Sequence, residues 1–162
     1  MCDVTQLSVS DLLNLNGKVS EELRRRLILR SSNNPTGDYG EWLFAKAFKW
    51  RLEGNSNSGY DARDRENRRI QIKCRRLTAR NPSRLLSAIR NLDKDPFDIL
   101  AAVLLNEQFQ VQRAALIPIH VVRENVTRSD HVNAHRFHLR DKIWNFLGVD
   151  DVTEELRSVK HP

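Results

Sequence analysis

Residues 59–77 read Gly59-Tyr60-Asp61-Ala62-Arg63-Asp64-Arg65-Glu66-Asn67-Arg68-Arg69-Ile70-Gln71-Ile72-Lys73-Cys74-Arg75-Arg76-Leu77. Tyr60 to Arg63 and Arg68 to Leu77 form two arms of a predicted hairpin around the polar turn Asp64-Arg65-Glu66-Asn67. In the second arm Ile70, Ile72 and Cys74 alternate with Arg69, Gln71, Lys73 and Arg75, the period of a strand with one face in the core. Gln71 and Lys73, two apart, project from the same face while Ile72 packs behind them.

The elements on either side set the fold class. Ahead of the hairpin, Asp38 to about Lys49 is a predicted helix that is apolar on more than one face through Trp42, Leu43, Phe44, Ala45, Ala47 and Phe48. A short strand at Trp50–Glu53 and a loop at 54–59 follow it. Beyond the hairpin, Asn81-Pro82 opens a predicted helix carrying Leu85, Ile89 and Leu92, which Pro96 ends. Phe97 to Leu105 reads as a central strand covered on both faces, paired with Phe109 to Ile117 across Asn106-Glu107-Gln108. Residues 118–162 form a mixed cap with a strand near Phe137–Leu139 and a last helix started by Asp150 or Asp151. Residues 1–30 read as a helical appendage for packing or dimerisation. It has one segment from Ser10 to Leu15 that Gly17 ends, and a second capped by Ser20. The expectation is an α/β protein with a mixed central sheet, its single main domain spanning 31–162 behind the appendage.

At 162 residues, 40% hydrophobic and 30% charged, the chain is long enough for one buried core and too short for two catalytic domains. Its longest apolar run, Ile99–Leu105, is seven residues, so no membrane-spanning helix is expected. No basic segment followed by an apolar stretch opens the chain, and the two cysteines, Cys2 and Cys74, make no disulfide framework. Both point to a cytoplasmic protein with reduced thiols. The net charge of +6 lies wholly in residues 1–80, and residues 81–162 are neutral. Residues 61–90 alone hold ten basic side chains against three acidic ones, and nine of the ten are arginine. Such a focus suits a polyanion, DNA first with RNA also admitted, or else a solvated surface.

Gly59-Tyr60-Asp61 followed by Gln71-Ile72-Lys73, in the order helix, three strands, helix, strand, resembles the PD-(D/E)xK nuclease superfamily over about residues 38–105. The whole chain also resembles a family of bacterial proteins, of no established activity, that share Ser31-Ser32-Asn33-Asn34-Pro35-Thr36-Gly37-Asp38 and the Gly59-Tyr60-Asp61 segment. The superfamily resemblance implies a restriction-endonuclease-like αβββαβ core and Mg²⁺- or Mn²⁺-dependent cleavage of DNA. Phosphodiester hydrolysis needs a hard cation on oxygen ligands. On this reading Asp61 supplies a carboxylate, Gln71 an amide oxygen and Ile72 its carbonyl. Lys73 orients or activates the water and offsets charge in the transition state, and Glu41 adds a second carboxylate from the buried helix. Arg75, Arg76, Arg80 and Arg84 would hold the phosphate backbone, with Asn55, Asn57 and Ser58 adding polar contacts. Cutting two strands with two sites implies a homodimer.

Other readings compete at each position. Glu41 stands three after Asp38, the capping-box spacing in which it would bond its own helix start, unless the helix begins earlier, for instance at Thr36. Asp61 and Lys73 also fit a cross-strand ion pair. Gln71 stands where the superfamily has Glu or Asp, which leaves one negative charge fewer for a dication and admits a nucleic-acid-binding module without catalysis. The arginines could instead meet an acidic protein. His131, His135 and His138 lie close in sequence, but Phe137-His138-Leu139 reads as strand and no glutamate stands between the first two, so a zinc site is disfavoured. Cys74 points to the apolar face and reads as a buried inert thiol.

Overall fold

The computed structural model describes residues 3–54, 59–129 and 134–162. Helix α1 (Val9–Arg25) is a single helix running through Gly17, capped by Ser8, whose hydroxyl accepts from the Asp11 N–H. The expected pair of short helices is therefore one: Gly17 is tolerated inside a helix that Ser8 starts two residues before Ser10. The chain then enters the core at Ile28 and Leu29.

Helix α2 (Pro35–Phe48) begins three residues earlier than Asp38, because Asn34 caps it and Pro35 occupies its first turn. Trp42, Leu43 and Phe44 are buried. Lys49, in the left-handed region at φ 56°, ends the helix. β1 (Arg51–Leu52), β2 (Ala62–Arg63) and β3 (Arg69–Arg76) follow in antiparallel succession.

Between β3 and the central strand the expected helix is absent. Residues 77–98 instead make β4 (Ile89–Arg90) and a 3₁₀ turn at Leu92–Lys94. Asn91 and Asp95 adopt left-handed φ values of 52° and 47°, which no α-helix accommodates, and β4 finds its hydrogen bonds on a distant strand. Ile89 and Leu92 of the expected stripe are buried, but on irregular backbone, and Leu86 is buried where the stripe had Leu85, which is only half-buried. The αβββαβ expectation is thus corrected at its second helix.

β5 (Ile99–Leu105) pairs parallel with β3 and antiparallel with β6 (Val111–Pro118). After α3 (Ile119–Asn125) come β7 (Val126–Ser129), β8 (Ala134–Phe137), a 3₁₀ turn at Asp141–Asn145, β9 (Asp150–Asp151) and α4 (Thr153–Arg157). The main sheet has the order β1-β2-β3-β5-β6-β9, and a second sheet has the order β4-β8-β7. The protein is therefore α/β with a mixed central sheet.

The main sheet is buried on both faces. Ile70, Ile72, Ala101, Val103 and Leu105 face α2 and α4, while Leu100, Ala102 and Leu104 face the second sheet and α3. Helix α2 lies so close to β3 that a Cβ on Gly40 would come within 2.5 Å of the Cys74 Cβ, so only glycine fits there. No helix among the described residues is long and apolar enough to cross a membrane.

Candidate active site

The site forms where β2 parts from β3. Their ladder covers only Ala62 opposite Ile70 and Arg63 opposite Arg69. Asp61 still donates its N–H to the Ile70 carbonyl (2.8 Å), and the chain then turns away. Its side chain fills the opened rung: Oδ2 of Asp61 accepts the Ile72 N–H at 2.6 Å. Along β3 the odd-numbered residues bond toward β5, as the Asp98 N–H to Arg69 carbonyl and Leu77 N–H to Leu105 carbonyl bonds show. Even-numbered residues turn their backbone groups toward β2, so the Ile72 carbonyl opens on the same side as Asp61.

Gln71 and Lys73 share the other face of β3, beside Leu100 and Ala102 of β5, as their spacing predicted. Gln71 is 8% exposed, and its Oε1 has no hydrogen-bond partner among the described residues. A buried unpaired amide oxygen costs about 1–3 kcal/mol, so the fold keeps it at a loss. Lys73 is half-buried and, among the described residues, makes neither a hydrogen bond nor an ion pair. Asp61 and Lys73 therefore do not form the cross-strand ion pair considered above.

Three ionisable groups nonetheless act on one another in this notch. Burial pushes the Lys73 ammonium below its ordinary value, against the pull of Asp61 and Glu41 and with a further push from Arg90. Burial raises the Asp61 carboxyl, against the Ile72 N–H, Lys73 and Arg30. Glu41 is raised to about 7, by burial first and then by the Asp61 charge, with Arg30 opposing. Asp61 just ahead of β2, Glu41 of α2 and Lys73 of β3 are thus within electrostatic reach of one another.

Glu41 does not cap its own helix. Its Oε2 accepts from Nη1 of Arg30 at 2.9 Å, and Nη2 of the same guanidinium donates to the Glu53 carbonyl. Asp38 likewise faces the preceding segment, where its Oδ2 accepts from the N–H groups of Arg30 (2.8 Å) and Ser31 (2.7 Å) and from the Ser31 hydroxyl. Arg30, Ser31, Asn33, Asp38, Glu41, Glu53, Gly54 and Asp61 enclose a cavity of about 160 Å³. Arg30 and Glu53 carry no spacing signal, since the Arg30 contacts join residues 8 to 23 apart, and the spacing of Asp38 to Glu41 suggested a helix cap and not this wall. The one signal was the polar run from Ser31 to Asp38, now seen to be the wall of this cavity.

The arginines divide. Arg75 reaches the Ser83 carbonyl and the Asn81 side chain, Arg76 holds the Glu107 carbonyl and lies over the Phe109 ring, and Arg84 pairs with Asp141 at 2.8 Å. Arg80 is exposed and has no side-chain partner among the described residues. Arg90 of β4, also exposed and without a partner among the described residues, acts on Lys73; the sequence analysis counted it in the basic window but not among the phosphate contacts. Asn55, Asn57 and Ser58 lie outside the described residues, as does His131. His135 lies on β8, and His138 bridges to Leu85 just beyond it. Burial pushes the Cys74 thiol up to about 12, so it is protonated at neutral pH.

Among the described residues no group of three or more His, Cys, Asp and Glu side chains is gathered for a metal. The set implied by the resemblance has two carboxylates, Asp61 and Glu41, with the Gln71 amide oxygen and the Ile72 carbonyl, and Glu41 is the member that Arg30 already holds. The free Oδ1 of Asp61, the unpartnered Oε1 of Gln71 and the outward Ile72 carbonyl are hard oxygen donors of the kind Mg²⁺ and Mn²⁺ take. Comparison with known proteins gives no match, neither to a protein-family model nor to a characterised sequence.

Proposed function

We propose that this protein is a Mg²⁺- or Mn²⁺-dependent endonuclease of DNA, built on a restriction-endonuclease-like core and acting as a homodimer. The observation that carries the reading is Lys73, held half-buried beside Asp61 and Glu41 without an ion pair. An ammonium in that setting costs stability, and a reaction that uses its charge accounts for its presence.

Asp61, Gln71 and the Ile72 carbonyl would hold the cation, which supplies Lewis-acid stabilisation of the scissile phosphate and a more acidic water. Lys73 projects from the same face as Gln71. It orients the attacking water, takes its proton at Nζ in the free-amine form that burial favours, and the ammonium so formed offsets the negative charge that grows on the phosphate oxygens. Asp61 is fixed for its role by the Ile72 N–H, which leaves its second oxygen for the cation. Arg90 and Arg80, rather than Arg75, Arg76 and Arg84, are the cations available to the phosphate backbone.

The test is cleavage of supercoiled plasmid and short duplexes with Mg²⁺ or Mn²⁺. Metal-dependent cutting that Lys73→Ala abolishes supports the reading, and cutting unchanged in that variant overturns it. The neutral amide at Gln71 favours a second reading, a nucleic-acid-binding module on the same fold. It predicts salt-sensitive, metal-independent binding with no cutting, and Gln71→Glu would then confer metal uptake.

A further inference from the structure

The carboxylates around the 160 Å³ cavity differ in what they have left to offer. Asp38 Oδ2 accepts three donors, the N–H groups of Arg30 and Ser31 and the Ser31 hydroxyl. Glu53 faces two arginines, with its Oε1 at 3.3 Å from Arg63 and 3.6 Å from Arg51. Its backbone carbonyl accepts from Arg30. Glu41 gives Oε2 to the same guanidinium. Asp61 differs in having no cation on it among the described residues: its Oδ2 accepts from the backbone N–H of Ile72 on the adjoining strand. A hard cation placed between Glu41 and the Glu53 carbonyl would have to displace the Arg30 guanidinium, which bonds both.

We infer that this site takes one divalent cation and not two, because the Arg30 guanidinium occupies the position between Glu41 and the Glu53 carbonyl that a second ion would need. The inference rests on the proposed metal-dependent reading and says how that site is charged. Arg30 is then a positioning residue: it supplies a fixed positive charge next to the cation held by Asp61 and keeps Glu41 from becoming a ligand. The guanidinium suits this place because its planar fork bonds a carboxylate and a carbonyl at once and stays protonated at any working pH. The polar run Ser31–Asp38 serves the same end. Asp38 fixes the backbone of Arg30 and Ser31, and Asn34 caps α2 so that Glu41 sits about two turns inside the helix, bonded to the guanidinium.

The experiment is a calorimetric titration of the full chain with MnCl₂, read as ions per chain. Wild type is expected to take one, and Asp61→Asn none. Arg30→Gln, its folding checked by a cooperative melt, is expected to take two, and Arg30→Lys one. Adding guanidinium ion at millimolar concentration to Arg30→Gln should suppress the second equivalent. Two ions in the wild type, or one in a folded Arg30→Gln, overturns the inference and leaves the metal-dependent reading standing. No uptake by the wild type overturns that reading and this inference with it. If Arg30→Gln does not fold, the wild-type stoichiometry decides.

Discussion

The cations of residues 61–90 fall into two groups that composition alone treats as one. Arg63, Arg68, Arg69, Arg75, Arg76 and Arg84 are engaged inside the protein, Arg69 on Asp98 at 2.8 Å and Arg68 on Asp64 at 2.7 Å among them. Arg65, Lys73, Arg80 and Arg90 have no side-chain partner among the described residues. Several acids that neutralise the first group, Glu53, Asp98 and Asp141, lie outside the window and were invisible to a local count. What distinguishes a binding charge from a structural one is thus the lack of a partner, and the unpaired set includes the one lysine.

The largest separation between the two groups is expected at Lys73. Lys73→Met should lower single-turnover cleavage by about 10²–10⁴-fold, the range for losing a positioned proton carrier or charge stabiliser. The same variant should raise the melting temperature, because it removes a half-buried ammonium that no carboxylate pairs. A loss of stability instead would place Lys73 with the structural cations.

A second contrast is pH dependence. Glu41 has its carboxyl raised from 4.5 to about 7, so the folded chain holds a proton that the unfolded chain releases. The Glu41 contribution to stability therefore falls as pH rises from about 4.5 to 7, by at most about 3 kcal/mol, and changes no further above that window. Urea melts at successive pH values in the presence of EDTA should show this slope, and Glu41→Gln should flatten it. The carboxyl of Asp141, held low chiefly by its hydrogen bond from Arg84, has the opposite sign and contributes no such fall.

This division explains which features were legible in the sequence. The alternation of Ile70, Ile72 and Cys74 and the run to Leu105 report periods that a strand imposes on every residue, so β3, β5 and the shared face of Gln71 and Lys73 followed directly. The stretch 82–96 misled because Leu85, Ile89 and Leu92 satisfy a helical spacing while β4 finds its hydrogen bonds on β8, more than forty residues away. Glu41 misled for a local reason: Asp38 resembles a cap, but Asn34-Pro35 had already started the helix. Arg30 had no signature, since its contacts with Glu41 and Glu53 depend on how α1, α2 and β1 meet.

Arg90 tests the unpaired group away from the chemistry. Arg90→Ala should weaken duplex binding by roughly tenfold and reduce the slope of log affinity against log salt by about one, as expected for one phosphate contact. Fluorescence anisotropy across a salt series reads both, and an unchanged slope would remove β4 from the nucleic-acid surface.

The smallest effect is expected at Arg84, and its smallness is informative. Arg84 and Asp141 are 39% and 70% exposed, and Asp141 is shared with Arg113 at 2.9 Å. Solvent screens such a pair, and Arg113, stacked over Trp144 at 3.8 Å, keeps the carboxylate partnered when Arg84 is lost. Arg84→Ala should therefore move the melting temperature by no more than about 2 °C and leave the salt slope of DNA binding unchanged. A drop in slope equal to that of Arg90→Ala would mean that Arg84 leaves Asp141 for phosphate when DNA is bound. Arg84→Ala and Asp141→Ala compared singly and together settle which holds: coupling in the free protein that vanishes in the complex marks an exchange of partners, and coupling that persists confines Arg84 to structure.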